Sequence, residues 1–232
     1  MVLWLPSYFD AALLKPNVTP KDLETFCKSA IKYGVYSVDI NPCYVKLAKK
    51  FLKGSNIKVL SVVGFPLGAN TTETKVYEAE QAVRDGADEL DMVMAIGQFK
   101  AKNYSYVRNE IEKIVDVAKG RPVKVIIEAG YLTKNELIKA CQIVKSSGAT
   151  FVKDCSGWGP KGADPKIIKL MRKVVGSDYG IKAAGGIRNL KQTLDLIKAG
   201  ANRIGSSAAF KIIEEWKAKK WRTILEKHNS YF

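Results

Sequence analysis

Two lysines stand inside short apolar runs, Lys153 in FVKDCS (151–156) and Lys182 in IKAAGG (181–186). Lysine is seldom buried without a partner, because an ammonium group loses its hydration when it leaves water. A head that snorkels to solvent at a rim would explain either residue alone. On successive strands ending at the same place, the two would disfavour each other's protonation, and desolvation would add to the effect. One amine would then be free to attack a carbonyl. In ADELDMVMAIG (87–97), strand alternation puts Glu89, Asp91 and Val93 on one face. A carboxylate there would either exchange protons with a carbinolamine or simply pair with the lysines. Asp10 and Asp39 are further strand carboxylates that alternation allows to point inward.

Other chemistries lack their residues. The chain has one histidine, His228 in the polar stretch EKHNSYF, so Ser-His-Asp, Cys-His and HExxH arrangements have no imidazole to use. Cys27, Cys43, Cys141 and Cys155 form no CxxC pair, which argues against a zinc site and fits reduced thiols. No metal is expected, and chemistry must use lysine and carboxylates. A second feature suggests a phosphate. Gly185-Gly186 lets backbone amides approach an anion, and Gly205-Ser206-Ser207 adds amides, hydroxyls and the start of a helix. A strand turning into a helix explains either motif alone; two on neighbouring strands favour an anion site.

The elements that must position these residues alternate along nearly the whole chain. Strands are expected near 9–13, 35–41, 57–65, 88–95, 123–129, 150–156, 180–185 and 202–207, and helices near 19–34, 72–85, 103–119, 133–147, 165–175, 190–199 and 208–227. Thr19 with Pro20 reads as a helix start. Gly34, Gly86, Gly148 and Gly200 each close a helix before an even-numbered strand, a weak internal repeat. Eight β/α units in 232 residues predict a TIM-type (β/α)8 barrel as one domain over 1–232. An open doubly wound sheet is the alternative, but it should carry GxGxxG after its first strand, and none is present. In barrels, the phosphate site is frequently built from the loops after strands seven and eight, where the glycine motifs lie.

Composition adds exclusions. A hydrophobic fraction of 47% with 26% charged residues is that of a globular chain, and no apolar run is long enough to span a bilayer. Pro6 interrupts the apolar start before a secretory leader could form, so a cytoplasmic location is expected. The formal charge of +15 is spread out; only KAKKWR (217–222) is dense, and at helical spacing it reads as a solvated face. Nucleic acid is therefore not the expected partner, while a positive field would steer a phosphorylated metabolite. Apolar helix faces would serve either a homo-oligomer or packing on the barrel.

Eight segments in order carry a family pattern: FDAALLKPNVT (9–19), NPCYV (41–45), VVGFPLGA (62–69), ELDMVMAIG (89–97), VKVIIEAGYL (123–132), FVKDCSGWG (151–159), IKAAGGIR (181–188) and RIGSS (203–207). Together they resemble deoxyribose-phosphate aldolase over nearly the whole chain. The resemblance implies a class I aldolase, without metal or cofactor, that reversibly cleaves 2-deoxyribose 5-phosphate to acetaldehyde and glyceraldehyde 3-phosphate. It implies Lys153 as the Schiff-base lysine, Lys182 as the second lysine that depresses its pKa and relays protons, Asp91 as the aspartate assisting proton transfer, and Asp10 as a carboxylate positioning Lys182. Gly157, Gly185, Gly186, Gly205, Ser206 and Ser207 match the phosphate loops, and Ser156 is left to hydrogen-bond a substrate hydroxyl.

The chain departs from the pattern in three places. Lys153-Asp154-Cys155-Ser156-Gly157 replaces the usual Lys-Thr-Ser-Thr-Gly, Asp39 stands where cysteine is common, and Ala12 where threonine is. An ionised Asp39 or Asp154 beside Lys153 would stabilise its ammonium form; alternation instead turns Asp154 outward toward a helix-facing residue. Two other functions fit the same residues: a divergent class I aldolase for another phosphorylated sugar, and a non-catalytic phosphate-binding barrel with a basic partner surface.

Overall fold

The structure, a computed structural model, describes residues 4–229, with side chains as far as Lys219; the end of the KAKKWR stretch and the His228 side chain lie outside that description. Eight parallel strands close into a barrel in chain order: β1 (Phe9–Leu13), β2 (Ser37–Ile40), β3 (Lys58–Val63), β4 (Glu89–Val93), β5 (Val123–Ile126), β6 (Phe151–Lys153), β7 (Gly180–Ala184) and β8 (Arg203–Ser206). β8 pairs back onto β1 through Phe9, Asp10 and Ala11, so the sheet has no free edge. Among the described residues, no helix is long and apolar enough to cross a membrane.

The helices form where capping and periodicity place them. α1 (Pro20–Tyr33) opens on a capping box in which Thr19 and Asp22 satisfy each other's backbone N–H, with Pro20 in the first turn. α3 (Thr72–Arg84), α5 (Tyr104–Val117), α6 (Lys134–Ser146), α7 (Pro165–Val175), α8 (Leu190–Ala199) and α9 (Ala209–Asn229) follow the expected segments. Two short helices were not anticipated, α2 (Val45–Phe51) and α4 (Ile96–Lys100). At seven and five residues they are too short for periodicity to reveal. Gly34, Gly86, Gly148 and Gly200 all have positive φ, from 66° to 116°, so the four-fold punctuation is a backbone feature of the fold.

The strands are shorter than the apolar runs suggest. β6 ends at Lys153 because Asp154 turns the chain, its carboxylate accepting the Cys155 N–H at 2.7 Å. Outward residues such as Val38, Met92, Val125, Val152, Ile181 and Ile204 join the helices in one apolar core. The inward face is different. Leu60, Val62 and Ile126 supply apolar filling, but Lys124, Lys153, Lys182, Asp10, Asp39, Glu89 and Asp91 are buried there as well. Three lysines thus meet four carboxylates inside the barrel, and they remain buried because each finds a partner.

Candidate active site

The charged interior is layered along the barrel axis. In the deeper layer, Lys124 bonds Glu89, which also accepts the Tyr36 hydroxyl at 2.9 Å. Lys124 Nζ also lies 3.8 Å from Asp10 and 3.7 Å from Asp91. Above it, Lys182 Nζ sits among three carboxylates, 2.9 Å from Asp10, 2.9 Å from Asp39 and 2.8 Å from Asp91. Lys153 donates to the same Asp91 Oδ2 at 2.6 Å and stands 3.7 Å from Asp39. One carboxylate oxygen therefore receives both lysines expected to act together. Asp10 is held in turn by the Ser37 hydroxyl at 2.8 Å.

Burial and pairing pull these groups in opposite directions. Burial raises Asp91, but Lys153, Lys182 and Lys124 outweigh it and hold its carboxyl well below the usual carboxylate range. Asp10 is lowered in the same way, burial being overcome by Lys182 and Lys124. Burial lowers Lys182, yet Asp10, Asp39 and Asp91 together raise it well above an ordinary lysine. Asp39 is the exception: burial raises it more than Lys182 and Lys153 draw it down. Among Asp10, Asp39 and Asp91, Asp39 is the member whose charge is least compensated.

A cavity of about 270 Å³ opens above this cluster at the C-terminal ends of the strands. Lys153, Asp39, Ser156, Gly157, Gly185, Gly186, Gly205, Ser206 and Ser207 line it, whereas Lys182, Asp91 and Asp10 lie beneath its floor. Gly157 and Gly185 bring the β6 and β7 loops together backbone to backbone; a Cβ on Gly185 would lie 3.2 Å from Gly157 Cα. Gly205 has a further reason to lack a side chain, since its Cβ would meet Lys182 Cε at 2.9 Å.

Two hydroxyls are committed elsewhere. Ser206 Oγ donates to Ile187 O at 2.7 Å and accepts the Ala208 N–H at 3.0 Å, so Ser206 offers an anion its backbone rather than its hydroxyl. Ser156 Oγ donates to Glu128 and accepts the Trp158 N–H, so its hydroxyl proton is already used inside the protein.

Asp154 corrects the alternation argument. It points neither to a helix-facing residue nor into the cavity; its Oδ1 reaches across to β7 and accepts the Ala184 N–H at 2.8 Å. The strand has ended at Lys153, so the period of two no longer applies. Burial pushes the Asp154 carboxyl up to about 7, against the pull of its two backbone donors and Lys153.

Four contributors escaped the sequence reading. Lys15 and Arg188 flank the cavity with positive charge, Arg188 two residues after the glycine pair. Lys124 anchors the deeper layer, and alternation within VKVI was the signal that could have found it. Glu128, at φ 47° and ψ 64°, holds the Ser156 N–H at 3.0 Å. No periodicity predicts that left-handed residue.

The model of the DeoC/LacD family of aldolases matches residues 7–212. A deoxyribose-phosphate aldolase of Thermococcus kodakarensis is 54% identical over 211 residues, 89% of this chain and 94% of the other. Among solved structures, one described as "QR15, an Aldolase" superposes with a TM-score of 0.91 at 38% identity, over 95% of this chain and 99% of that one. The deoxyribose phosphate aldolase of Aeropyrum pernix, described as a unique tetramer, superposes at 0.86 with 33% identity over 92% and 91% of the two chains.

Proposed function

Because the chain belongs to the DeoC/LacD family of aldolases, we propose that it cleaves 2-deoxyribose 5-phosphate reversibly to acetaldehyde and glyceraldehyde 3-phosphate through an imine on Lys153. The observation that carries this reading is the position of Lys153. It is the one buried lysine on the cavity wall among the described residues, and its Nζ bonds the Asp91 oxygen that also holds Lys182.

The chemistry follows from that arrangement. Lys153 as the free amine attacks the C1 aldehyde, and loss of water from the carbinolamine gives a protonated imine. Asp91 and Lys182 carry the protons of these steps, Asp91 Oδ2 being hydrogen-bonded to Lys153 on one side and to Lys182 on the other. Since the two-carbon product contains C1 and C2, the bond that breaks joins C2 to C3. Its electron pair forms the enamine double bond, the imine nitrogen serving as electron sink. Protonation of C2 and hydrolysis then free acetaldehyde and regenerate the amine.

In this reading the phosphate binds at the rim, on the amides of Gly185, Gly186, Ser206 and Ser207; that these residues line the cavity together with Lys15 and Arg188 supports it. The test is to incubate the protein with 2-deoxyribose 5-phosphate and borohydride, locate the mass addition by peptide mass spectrometry, and assay acetaldehyde in an untreated sample. Addition at Lys153 with acetaldehyde release is expected. No addition across a broad pH range would refute the reading.

A further inference from the structure

Cleavage needs a base for the C3 hydroxyl, and Asp91 is poorly placed to be that base. Its Oδ2 already accepts hydrogen bonds from both Lys153 and Lys182, and the residue lies beneath the cavity floor. Asp39 resembles Asp91 in having an Oδ1 without a partner and an Oδ2 that accepts from Lys182 at 2.9 Å, but it reaches the cavity and Asp91 does not. Asp39 is the one carboxylate lining the cavity among the described residues, and its Oδ2 is 3.7 Å from the nitrogen that would become the imine. The C3 hydroxyl is separated from that nitrogen by only three carbons, so a substrate bent about C2 brings it within one hydrogen bond of an acceptor beside the nitrogen. Register places Ala12 next to Asp39, and Ala12 also lines the cavity, so a methyl rather than a bulky group adjoins the carboxylate on the β1 side.

Resting on the aldolase reading above, we propose that Asp39 is a catalytic residue, the general base that takes the proton of the substrate's C3 hydroxyl as the C2–C3 bond breaks. The O–H pair becomes the C3 carbonyl of the three-carbon product. The C2–C3 pair becomes the enamine double bond, and the C1–N π pair returns to nitrogen. The proton on Asp39 leaves to solvent through the open cavity, while C2 receives its proton from the Lys182 side, so the overall reaction consumes none.

The charges around Asp39 suit the role. At the cleavage step Lys182 from β7 faces it as a cation, Lys153 from β6 as the nitrogen of the protonated imine and Asp91 from β4 as an anion, while Lys15 and Arg188 share its cavity. Burial nonetheless leaves Asp39 more basic than an ordinary carboxylate. Cleavage should therefore show an acid limb, falling as the pH drops through the raised Asp39 value.

The test compares Asp39→Asn with the wild type in three reactions: cleavage of 2-deoxyribose 5-phosphate, borohydride trapping of acetaldehyde on Lys153, and exchange of acetaldehyde methyl protons in deuterium oxide. Acetaldehyde has no C3 hydroxyl. Cleavage should fall roughly 100- to 1000-fold and lose its acid limb, while trapping and exchange fall at least about tenfold less than cleavage does. Cleavage within threefold of wild type overturns the proposal. So does a parallel loss of all three reactions, because Asp39 would then only position Lys182. If the asparagine variant does not fold, Asp39→Ala with added formate decides: restored cleavage supports the proposal and no restoration refutes it. Absence of trapping in the wild type would instead remove the aldolase reading itself.

Discussion

Replacing Asp154 with asparagine would reveal which of two opposed effects governs this carboxylate. The side chain is fully buried, with Oδ1 on the N–H groups of Cys155 and Ala184 and no partner for Oδ2. Burial prevails over the two donors and Lys153, raising the group from 3.8 to about 7. A carboxyl more basic in the folded protein binds its proton more tightly there, so folding stability is highest below the unfolded pKa. It declines as pH rises from about 4 to 7 and is level above that. At 1.36 kcal/mol per pH unit, the loss is on the order of 4 kcal/mol. Asparagine keeps an oxygen for both amides, never ionises, and buries an N–H₂ group at a cost of about 1–3 kcal/mol. The variant should thus be the less stable protein at pH 4 and the more stable at pH 8. Urea melts of both proteins from pH 4 to 8, followed by tryptophan fluorescence, give this difference with the other titrating groups largely cancelling. A difference constant within about 1 kcal/mol would refute the argument, showing that the donors and Lys153 keep Asp154 ionised throughout.

Two other substitutions probe the packing. Lys75 is fully buried against Glu110 at 2.6 Å and Val93 O at 2.9 Å, while Glu110 also accepts the Ala95 N–H. Lys75→Met should cost about 3–5 kcal/mol in urea unfolding by stranding the Glu110 charge, and adding Glu110→Gln should recover most of it. Gly205→Ala should preserve the circular dichroism spectrum but reduce kcat/KM by about 100-fold, because the new methyl would displace Lys182 from its three carboxylates. Unchanged kcat/KM would mean that Lys182 tolerates the shift.

Local rules made part of this protein legible without coordinates. Period-two runs punctuated by helix-closing glycines predict eight β/α units, because alternation and left-handed caps are properties of a few neighbouring residues. The same rule puts Glu89 and Asp91 on one face and allows Asp10 and Asp39 to point inward, while Lys153 and Lys182 are read only as ending successive strands at one mouth. It does not say which inward side chains meet. That depends on the tilt and register of a closed sheet, which bring β4, β6 and β7 onto a single Asp91 oxygen and seat Lys124 a layer below. Asp154 and Glu128 lie past the strand ends, where periodicity stops; their partners belong to other loops. Asp39 was readable as an inward carboxylate, but only the assembled barrel placed it on the cavity wall, one strand from Ala12 and 3.7 Å from Lys153. Residue type and local pattern determined which groups could do chemistry, and barrel closure decided their partners, because those contacts join residues far apart in the chain.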